Sequence, residues 1–319
     1  MGEMITAAET AVWLKARDNY LILTHRRPDG DTLGSAGALA QGLRDAGKTA
    51  YVLANPETTP RYARFVDEYI APDGFRPDFI VAVDTASAEM FPKNGLDYKD
   101  SVALCIDHHP SNTRYADKIC LDQASASCGE LVYDILMTMS GGVCAKGAEC
   151  LYAALSTDTG CFAFANTTAN TLRVAASLIE SGAPHSALNR LLFRNKTHGR
   201  ICIEGMIFSG LEFFFDEAVT IIILTRDMIE SVNASEDDMD DIASLPSSID
   251  GVLVGITIRE LTSAADCKVS VRTTGVVDAN AICAVFGGGG HPMAAGFTMG
   301  KTAAEIKKEL LEVLGGFLP

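Results

Sequence analysis

The chain has 319 residues, of which 48 % are hydrophobic, enough for the cores of one large or two medium-sized domains. No apolar run approaches the roughly 20 residues of a membrane-spanning helix, and the opening residues are typical of a first helix, not a signal peptide. Proteins that bind long nucleic acid usually have a broad basic surface, whereas this chain has a formal net charge of −15. The composition therefore excludes a membrane protein and a binder of long nucleic acid.

The first half of the chain alternates short apolar runs with helical patterns. This alternation predicts buried parallel strands, and so an α/β fold with a doubly wound, mainly parallel sheet. The strands are predicted at residues 20–23, 50–53, 79–83 and 102–106. Helices are predicted at residues 33–46, 129–139, 145–155 and 171–181.

The second half predicts a smaller α+β domain. Residues 184–210 are helical in pattern and carry no strand signal, so we expect one domain at 1–185, a helical connector at 186–210 and a second domain at 211–319. Its strands are predicted at 212–215, 219–224, 252–260 and 268–273, and its helices at 279–285 and 303–314. The acidic stretch SEDDMDDI, residues 235–242, is interpreted as a solvated helix face.

Side chains that bind metal ions follow three of the predicted strands and end one helix. The carboxyl ends of parallel strands meet at one edge of a sheet, so these side chains are expected to converge. Imidazole and carboxylate ligands together suit Mn²⁺, Co²⁺ or Zn²⁺, and a pair of ions needs a bridging carboxylate with further ligands on each side. The candidate ligands are His25, Asp29, Asp31, Asp84, His108 and Asp158.

Each candidate alone also has a purely structural interpretation, as a turn residue, a helix cap or a hydrogen-bonded core histidine. Their joint occurrence at one sheet edge favours a metal site, and four of the six histidines fall in such motifs. His185 and His198 lie outside every motif and are interpreted as surface or capping residues. The nine cysteines show no CxxC pair and predict free thiols in a reducing compartment, the cytoplasm.

The motifs HRRPDGD (25–31), a lone Asp84 after a strand, DHH (107–109), STDTG (156–160) and GGGGH (287–291) occur in one characteristic order. In this the chain resembles the DHH family of phosphoesterases over nearly its whole length. Residues 159–183 are similar to the branch that cleaves oligoribonucleotides and 3′-phosphoadenosine 5′-phosphate (pAp). Ala163 departs from that branch, which often has a basic residue there, so substrate preference is in question.

The resemblance implies a DHH catalytic domain that binds two divalent metal ions. The expected metal is Mn²⁺, with Mg²⁺, Co²⁺ or Zn²⁺ as alternatives. One ion would be bound by His25, Asp29 and Asp84. The second would be bound by Asp31, Asp84, His108 and Asp158, so that Asp84 bridges. The implied catalytic residues are Asp84, Asp107, which would orient a ligand histidine, and His109, which would face the scissile phosphate.

The resemblance also implies that the second domain holds the substrate. Successive glycines leave amide groups free to bind an anion, so the glycines at 287–290, among them Gly288, Gly289 and Gly290, are expected to form a nest for phosphate. His291 and Arg272 would add charge-assisted hydrogen bonds. A flexible glycine loop and a simple surface arginine are the alternatives.

The implied function is hydrolysis of short oligoribonucleotides or pAp, with hydroxide attacking phosphorus between two metal ions. A cyclic or linear dinucleotide phosphodiesterase stays open, because it would use the same ligands. A catalytically inactive nucleotide-binding module is a third possibility, against which the intact ligand set argues. The expected partners are short RNA or small phosphorylated nucleotides, and a homodimer stays open.

Overall fold

The computed structural model describes residues 2–239 and 241–319. They form two compact units, the first ending at Asn195 and the second comprising Lys196–Pro319. The division falls inside the segment predicted as a connector. No helix in these described ranges is long and apolar enough to cross a membrane.

The first unit is built on a six-stranded sheet in which every neighbouring pair is parallel. The strand order across the sheet is β1-β6-β5-β4-β2-β3. The strands are β1 (Glu3–Met4), β2 (Tyr20–Leu23), β3 (Ala50–Val52), β4 (Phe79–Val83), β5 (Val102–Asp107) and β6 (Lys118–Leu121). The predicted α/β class with a mainly parallel sheet is therefore confirmed.

Both faces of this sheet are buried, as its apolar strands require. Ile22 and Val81 lie in one apolar cluster with side chains from the helices. Leu21 and Ala82 point to the opposite face, where side chains from loops and short 3-10 turns cover the sheet. The helices are α1 (Ala7–Lys15), α2 (Gly30–Asp45), α3 (Pro60–Ala63), α4 (Cys128–Ser140), α5 (Ala145–Asp158), α6 (Ala169–Glu180) and α7 (His185–Asn189).

Helices α2 and α5 pack closely because glycines of α2 face α5. A Cβ added at Gly30 would lie 2.4 Å from the Thr157 side chain, and one added at Gly34 would lie 2.4 Å from the Cys150 carbonyl oxygen. Only glycine allows this approach. The contact brings the start of α2 next to the end of α5, the two places where acidic candidate ligands occur.

The second unit has a mixed sheet with the order β11-β12-β10-β9-β8-β7, in which only β8 and β9 pair in parallel. Its strands are β7 (Glu212–Phe214), β8 (Val219–Leu224), β9 (Val254–Glu260), β10 (Cys267–Thr273), β11 (Gly289–His291) and β12 (Ala294–Met299). Its helices are α8 (His198–Gly210), α9 (Arg226–Ser231), α10 (Ala279–Val285) and α11 (Ala303–Leu314). The predicted helices at 279–285 and 303–314 match α10 and α11.

Helix α8 is part of the second unit. Ile203 and Ile207 are buried in a cluster with residues of β8. Glu204 on the same helix is hydrogen-bonded by Lys196 and Arg200. Burial alone would raise the pKa of Glu204, but these two cations outweigh it and hold the pKa below its ordinary value.

The acidic stretch at residues 235–242 contains a 3-10 turn, Glu236–Met239. Asp240 and the side chains of Glu236 and Asp237 lie outside the described residues. Asp238 is 6 % exposed and accepts hydrogen bonds from Thr197 and Ser235. The prediction of a solvated face is therefore wrong at Asp238, whose carboxylate ties the turn to the start of α8.

Candidate metal centre

Strand β2 and helix α2 position the first three candidate ligands. Asp29 is the N-cap of α2, and its Oδ1 accepts the amide hydrogens of Asp31 and Thr32. Asp29 thus caps the helix through Oδ1, and its Oδ2 takes no part in the cap. His25, just after β2, is buried, and its Nε2 lies 3.8 Å from Asp29 Oδ1 and 3.5 Å from Asp84 Oδ2.

Asp84 lies at the centre of the cluster, immediately after β4. Its Oδ1 is 3.5 Å from His108 Nε2 and 3.6 Å from His109 Nδ1, and this buried oxygen has no hydrogen-bond partner. Its φ of 52° is left-handed, a conformation that costs energy outside glycine and is held where surrounding structure demands it. Two groups of possible ligand atoms, one with His25 and Asp29 and one with His108 and His109, share Asp84.

A third group of possible ligands joins Asp31, His108 and Asp158, whose atoms lie within 4.8 Å of one another. His108 Nε2 is 3.7 Å from Asp31 Oδ2 and 3.5 Å from Asp158 Oδ2. The structure therefore brings all six predicted ligands into one cluster, although they come from four separate stretches of sequence.

The histidine rings are oriented as metal ligands usually are. His25 Nδ1 lies 2.7 Å from the Arg26 carbonyl oxygen, and His108 Nδ1 lies 3.2 Å from the Ser125 carbonyl oxygen. When Nδ1–H donates to these carbonyls, the lone pair of Nε2 points at the carboxylates. The donor set and its orientation fit divalent cations.

The electrostatics of the cluster also call for added positive charge. Burial, and then the charge of Asp84, hold the pKa of Asp31 well above its ordinary value. Burial is likewise the main reason why the pKa of Asp158 rises to about 6. Burial would lower the pKa of His25 and His108, but the neighbouring carboxylates raise it to about 11 and about 10. Without a cation the cluster retains protons, and a bound cation would displace them.

Asp107 and His109 form a pair at the edge of the cluster. Asp107 is fully buried, and its Oδ1 lies 2.7 Å from His109 Nδ1 and accepts the His108 amide. Asn112 Nδ2 donates to the other oxygen of Asp107 at 2.6 Å. The bond to Asp107 is the main reason why the pKa of His109 is raised. Because Nδ1 is engaged, the ring presents Nε2 away from Asp107.

Sequence reasoning missed the groups that hold Asp31. Its carboxylate accepts the amide hydrogens of Cys128 and Gly129, the first residues of α4, and the hydroxyl of Ser35. A helix N-terminus stabilises a carboxylate in this way. The small residues ASAS at 124–127, directly before the helix, were the available signal, since bulkier side chains would restrict such close approach.

The turn after Asp158 is unusual in its backbone. Gly160, Cys161 and Phe162 all have positive φ, at 55°, 56° and 67°. A Cβ at Gly160 would meet the ring of Phe164 at 2.4 Å. Asn166 Nδ2 donates to the Asp158 carbonyl oxygen, which ties the turn back to the end of α5.

The predicted substrate residues lie in the second unit. Arg272 on β10 is partly buried, and His291, at the end of β11, is exposed. The prediction of free glycine amides is wrong at three positions, because Gly287 and Gly288 donate to α10 carbonyl oxygens and Gly290 donates to Asn280 Oδ1. Gly289 pairs with Gly296 in the β11–β12 hairpin. Among these glycines, a nest of successive free amides is therefore absent.

The two histidines outside the motifs are surface residues, as predicted. His185 and His198 are exposed first residues of α7 and α8. All nine cysteines are unpaired, and six of them are buried.

Comparison with known proteins gives matches over both units. The model of the DHH family, N-terminal domain, matches residues 19–155, and that of the DHHA1 domain matches residues 219–318. A protein of Thermus thermophilus named bifunctional oligoribonuclease and PAP phosphatase NrnA is 35 % identical over 303 residues, 94 % of this chain and 87 % of that protein. A Bacillus subtilis protein of the same name is 27 % identical over 88 % of each chain.

Among solved structures, an exopolyphosphatase-related protein from Bacteroides fragilis has a TM-score of 0.81 against this chain. The two are 23 % identical, and the alignment covers 96 % of each. At this identity the likeness concerns the fold alone.

Proposed function

The chain belongs to the DHH family of phosphoesterases, and we propose that it uses two divalent cations to hydrolyse short oligoribonucleotides and pAp. The observation that carries the proposal is the buried Asp84 oxygen that lacks a hydrogen-bond partner beside two histidines. An unpaired buried carboxylate oxygen is costly, and a shared cation would satisfy it. The names of the relatives with 35 % and 27 % identity support the substrate class.

His25, Asp29 and Asp84 would hold one cation, and Asp31, Asp84, His108 and Asp158 the other. Bound divalent cations supply positive charge for the phosphoryl oxygens and lower the pKa of water. The mixture of imidazole and carboxylate donors favours Mn²⁺, with Co²⁺, Zn²⁺ and Mg²⁺ as alternatives. The free thiols suit a reducing compartment, and we propose the cytoplasm.

The residues around the cations would position both ligands and substrate. Asp107, anchored by Asn112, fixes the His109 ring, so that its Nε2 can contact a phosphoryl oxygen. The raised pKa of His109 favours the protonated ring, and a protonated ring suits contact with an anion. In the second unit, Arg272 and His291 would bind a further phosphate of the substrate. Gly288 and Gly290 would serve by permitting close packing of β11 on β12, since a Cβ at either would clash there.

A substrate panel tests the proposal. The purified protein with Mn²⁺ should release phosphate from pAp and mononucleotides from RNA of two to five residues. Cleavage of cyclic dinucleotides alone would instead favour the alternative phosphodiesterase. No hydrolysis of any of these with Mn²⁺, Co²⁺, Mg²⁺ or Zn²⁺ would refute an active enzyme. Ala163 bears on the outcome, since a basic residue restored by Ala163→Arg should alter the ratio of the two activities.

A further inference from the structure

The N-termini of helices α4 and α6 lie side by side in the first unit. Asn166 Nδ2 donates to the carbonyl oxygen of Ala126, shortly before α4 begins. Asn170 Nδ2, in the first turn of α6, lies 3.5 Å from Oε2 of Glu130, in the first turn of α4. These two contacts are four residues apart on each segment, so together they hold the two helix starts against each other.

Three side-chain oxygens at this junction are buried and lack a hydrogen-bond partner. They are Ser127 Oγ, Glu130 Oε1 and Thr167 Oγ1. Ser127 is fully buried, and Glu130 is 3 % exposed. Hydroxyl groups can donate to a carboxylate, yet these three oxygens do not bond to one another. A single ligand among them would satisfy all three.

The local backbone does not use these oxygens either. Ser127 and Glu130 have the spacing of a capping box, in which each side chain accepts the amide hydrogen of the other residue. Ser127 is the N-cap of α4 but makes no side-chain cap bond, and the Glu130 amide donates to the Ser127 carbonyl oxygen instead. The amides of Cys128 and Gly129 donate to Asp31. Neither side chain has its usual local partner, so both oxygens remain for another ligand.

The charge of Glu130 favours a cation over a water molecule as this ligand. A buried carboxylate needs a positive partner, and its other oxygen has only the long contact with Asn170. Burial, and then the charge of Glu130, raise the pKa of Asp134 one helical turn further along α4. A water molecule could donate hydrogen bonds to these oxygens but would leave the negative charge uncompensated.

We propose that Ser127, Glu130 and Thr167 bind a monovalent cation, Na⁺ or K⁺, between the starts of α4 and α6. Oxygen donors suit hard cations, and one positive charge balances the single carboxylate among the three groups. Ser127 directly precedes the two amides that hold Asp31. The bound cation therefore also fixes the helix start that positions this candidate metal ligand.

Melting of the protein in a chelator tests the site without any contribution from divalent cations. At constant chloride concentration, replacing N-methylglucamine by Na⁺ or K⁺ should raise Tm along a saturating curve, by roughly 3–6 °C at ten times Kd. Glu130→Gln should abolish this rise. In N-methylglucamine chloride the variant should melt no lower than the wild type, because an unpaired buried carboxylate has been removed. Glu180→Gln, on an exposed residue at the end of α6, is the control and should keep the full rise.

Ser127→Ala gives a second test that keeps the charge. Its hydroxyl makes no hydrogen bond within the protein, so the variant should melt like the wild type in N-methylglucamine chloride. It should need several-fold more Na⁺ or K⁺ to reach half of the Tm rise, because one oxygen donor is missing. An equal Tm of the wild type in all three salts, a rise retained by Glu130→Gln, or an unchanged midpoint in Ser127→Ala would each overturn the site.

The effect on Asp31 has its own measurement. Mn²⁺ should bind the wild type more tightly in saturating Na⁺ or K⁺ than in N-methylglucamine chloride, and Glu130→Gln should lack this difference. Equal Mn²⁺ affinities of the wild type in these salts would refute a positioning effect on Asp31. Hydrolysis of pAp and short RNA by the wild type would remain in every one of these cases, so failure of the monovalent site differs from failure of the proposed function.

Discussion

Replacement of Asp84 by Asn tests whether one carboxylate serves two cations. Asn keeps the size of the side chain and, like Asp, tolerates the left-handed φ of 52° better than most residues other than glycine. At a cation concentration 100 times Kd, each cation that binds the folded state alone adds about 2.7 kcal/mol to the free energy of unfolding. A unit of 150–250 residues gains about 2–4 °C in Tm for each kcal/mol, so Mn²⁺ should raise the wild-type Tm by roughly 5–11 °C for each cation bound.

The variant should lose most of this rise. If the missing charge weakens the binding of each cation 100-fold, the same concentration equals Kd and each cation adds only about 0.4 kcal/mol, or roughly 1–2 °C. In a chelator the variant should melt no lower than the wild type, because an unpartnered buried carboxylate oxygen has been neutralised. Differential scanning calorimetry with and without Mn²⁺ measures both values, and Asp134→Asn, on an exposed residue of α4, is the control. A Tm rise within 2 °C of the wild-type rise together with undiminished turnover would refute a shared ligand at Asp84.

Three further changes have expected outcomes. Gly34→Ala should lower both Tm and Mn²⁺ affinity, because its Cβ would lie 2.4 Å from the Cys150 carbonyl oxygen and would push α2 away from α5. Gly205→Ala in α8, where nothing lies within 4 Å of the added Cβ, is the control and should not lower Tm, and equal Tm losses would contradict the steric argument. Glu204→Gln should lower the free energy of unfolding, measured in urea, by roughly 1–3 kcal/mol at neutral pH. Because the pKa of Glu204 is depressed in the folded state, this difference from the wild type is present above about pH 4.5 and vanishes as the pH falls through the folded pKa. A difference that persists in acid would exclude the ion pairs as its cause. His291→Ala should raise KM for pAp and keep kcat in steady-state assays, and an unchanged KM would remove His291 from substrate binding.

The ligand cluster was predictable from sequence because each ligand follows a recognisable element. Buried parallel strands are short apolar runs, and their carboxyl ends must share one edge. Asp84 could therefore be predicted to lie beside His25 and His108 without any knowledge of distances. Asp158 was found at the end of α5, although the predicted helix at 145–155 stopped one turn early.

What the sequence did not predict depends on backbone hydrogen bonds and on weak strands. The amides of Cys128 and Gly129 hold Asp31, but an amide donor has no side-chain signature. Strand β1 was missed because two residues form too short a pattern, and β6 was missed because its sequence KICL begins with a charged residue, which leaves an apolar run of only three. The β11–β12 hairpin was missed because glycine-rich segments lack β propensity, and so the amides at 287–290 were wrongly predicted to be free.

The cluster itself contributes unfavourably to the stability of the ligand-free fold, so other contacts must hold it together. Four carboxylates converge, Asp84 adopts a left-handed φ, and the turn after Asp158 has three consecutive residues with positive φ. Two contacts around the cluster offset this unfavourable contribution. Gly30 and Gly34 let α2 approach α5, and the N-terminus of α4 stabilises Asp31. Because these contacts do not involve the cations, the ligands are positioned before the cations arrive. Cation binding can then relieve the repulsion among the carboxylates without first having to order the chain.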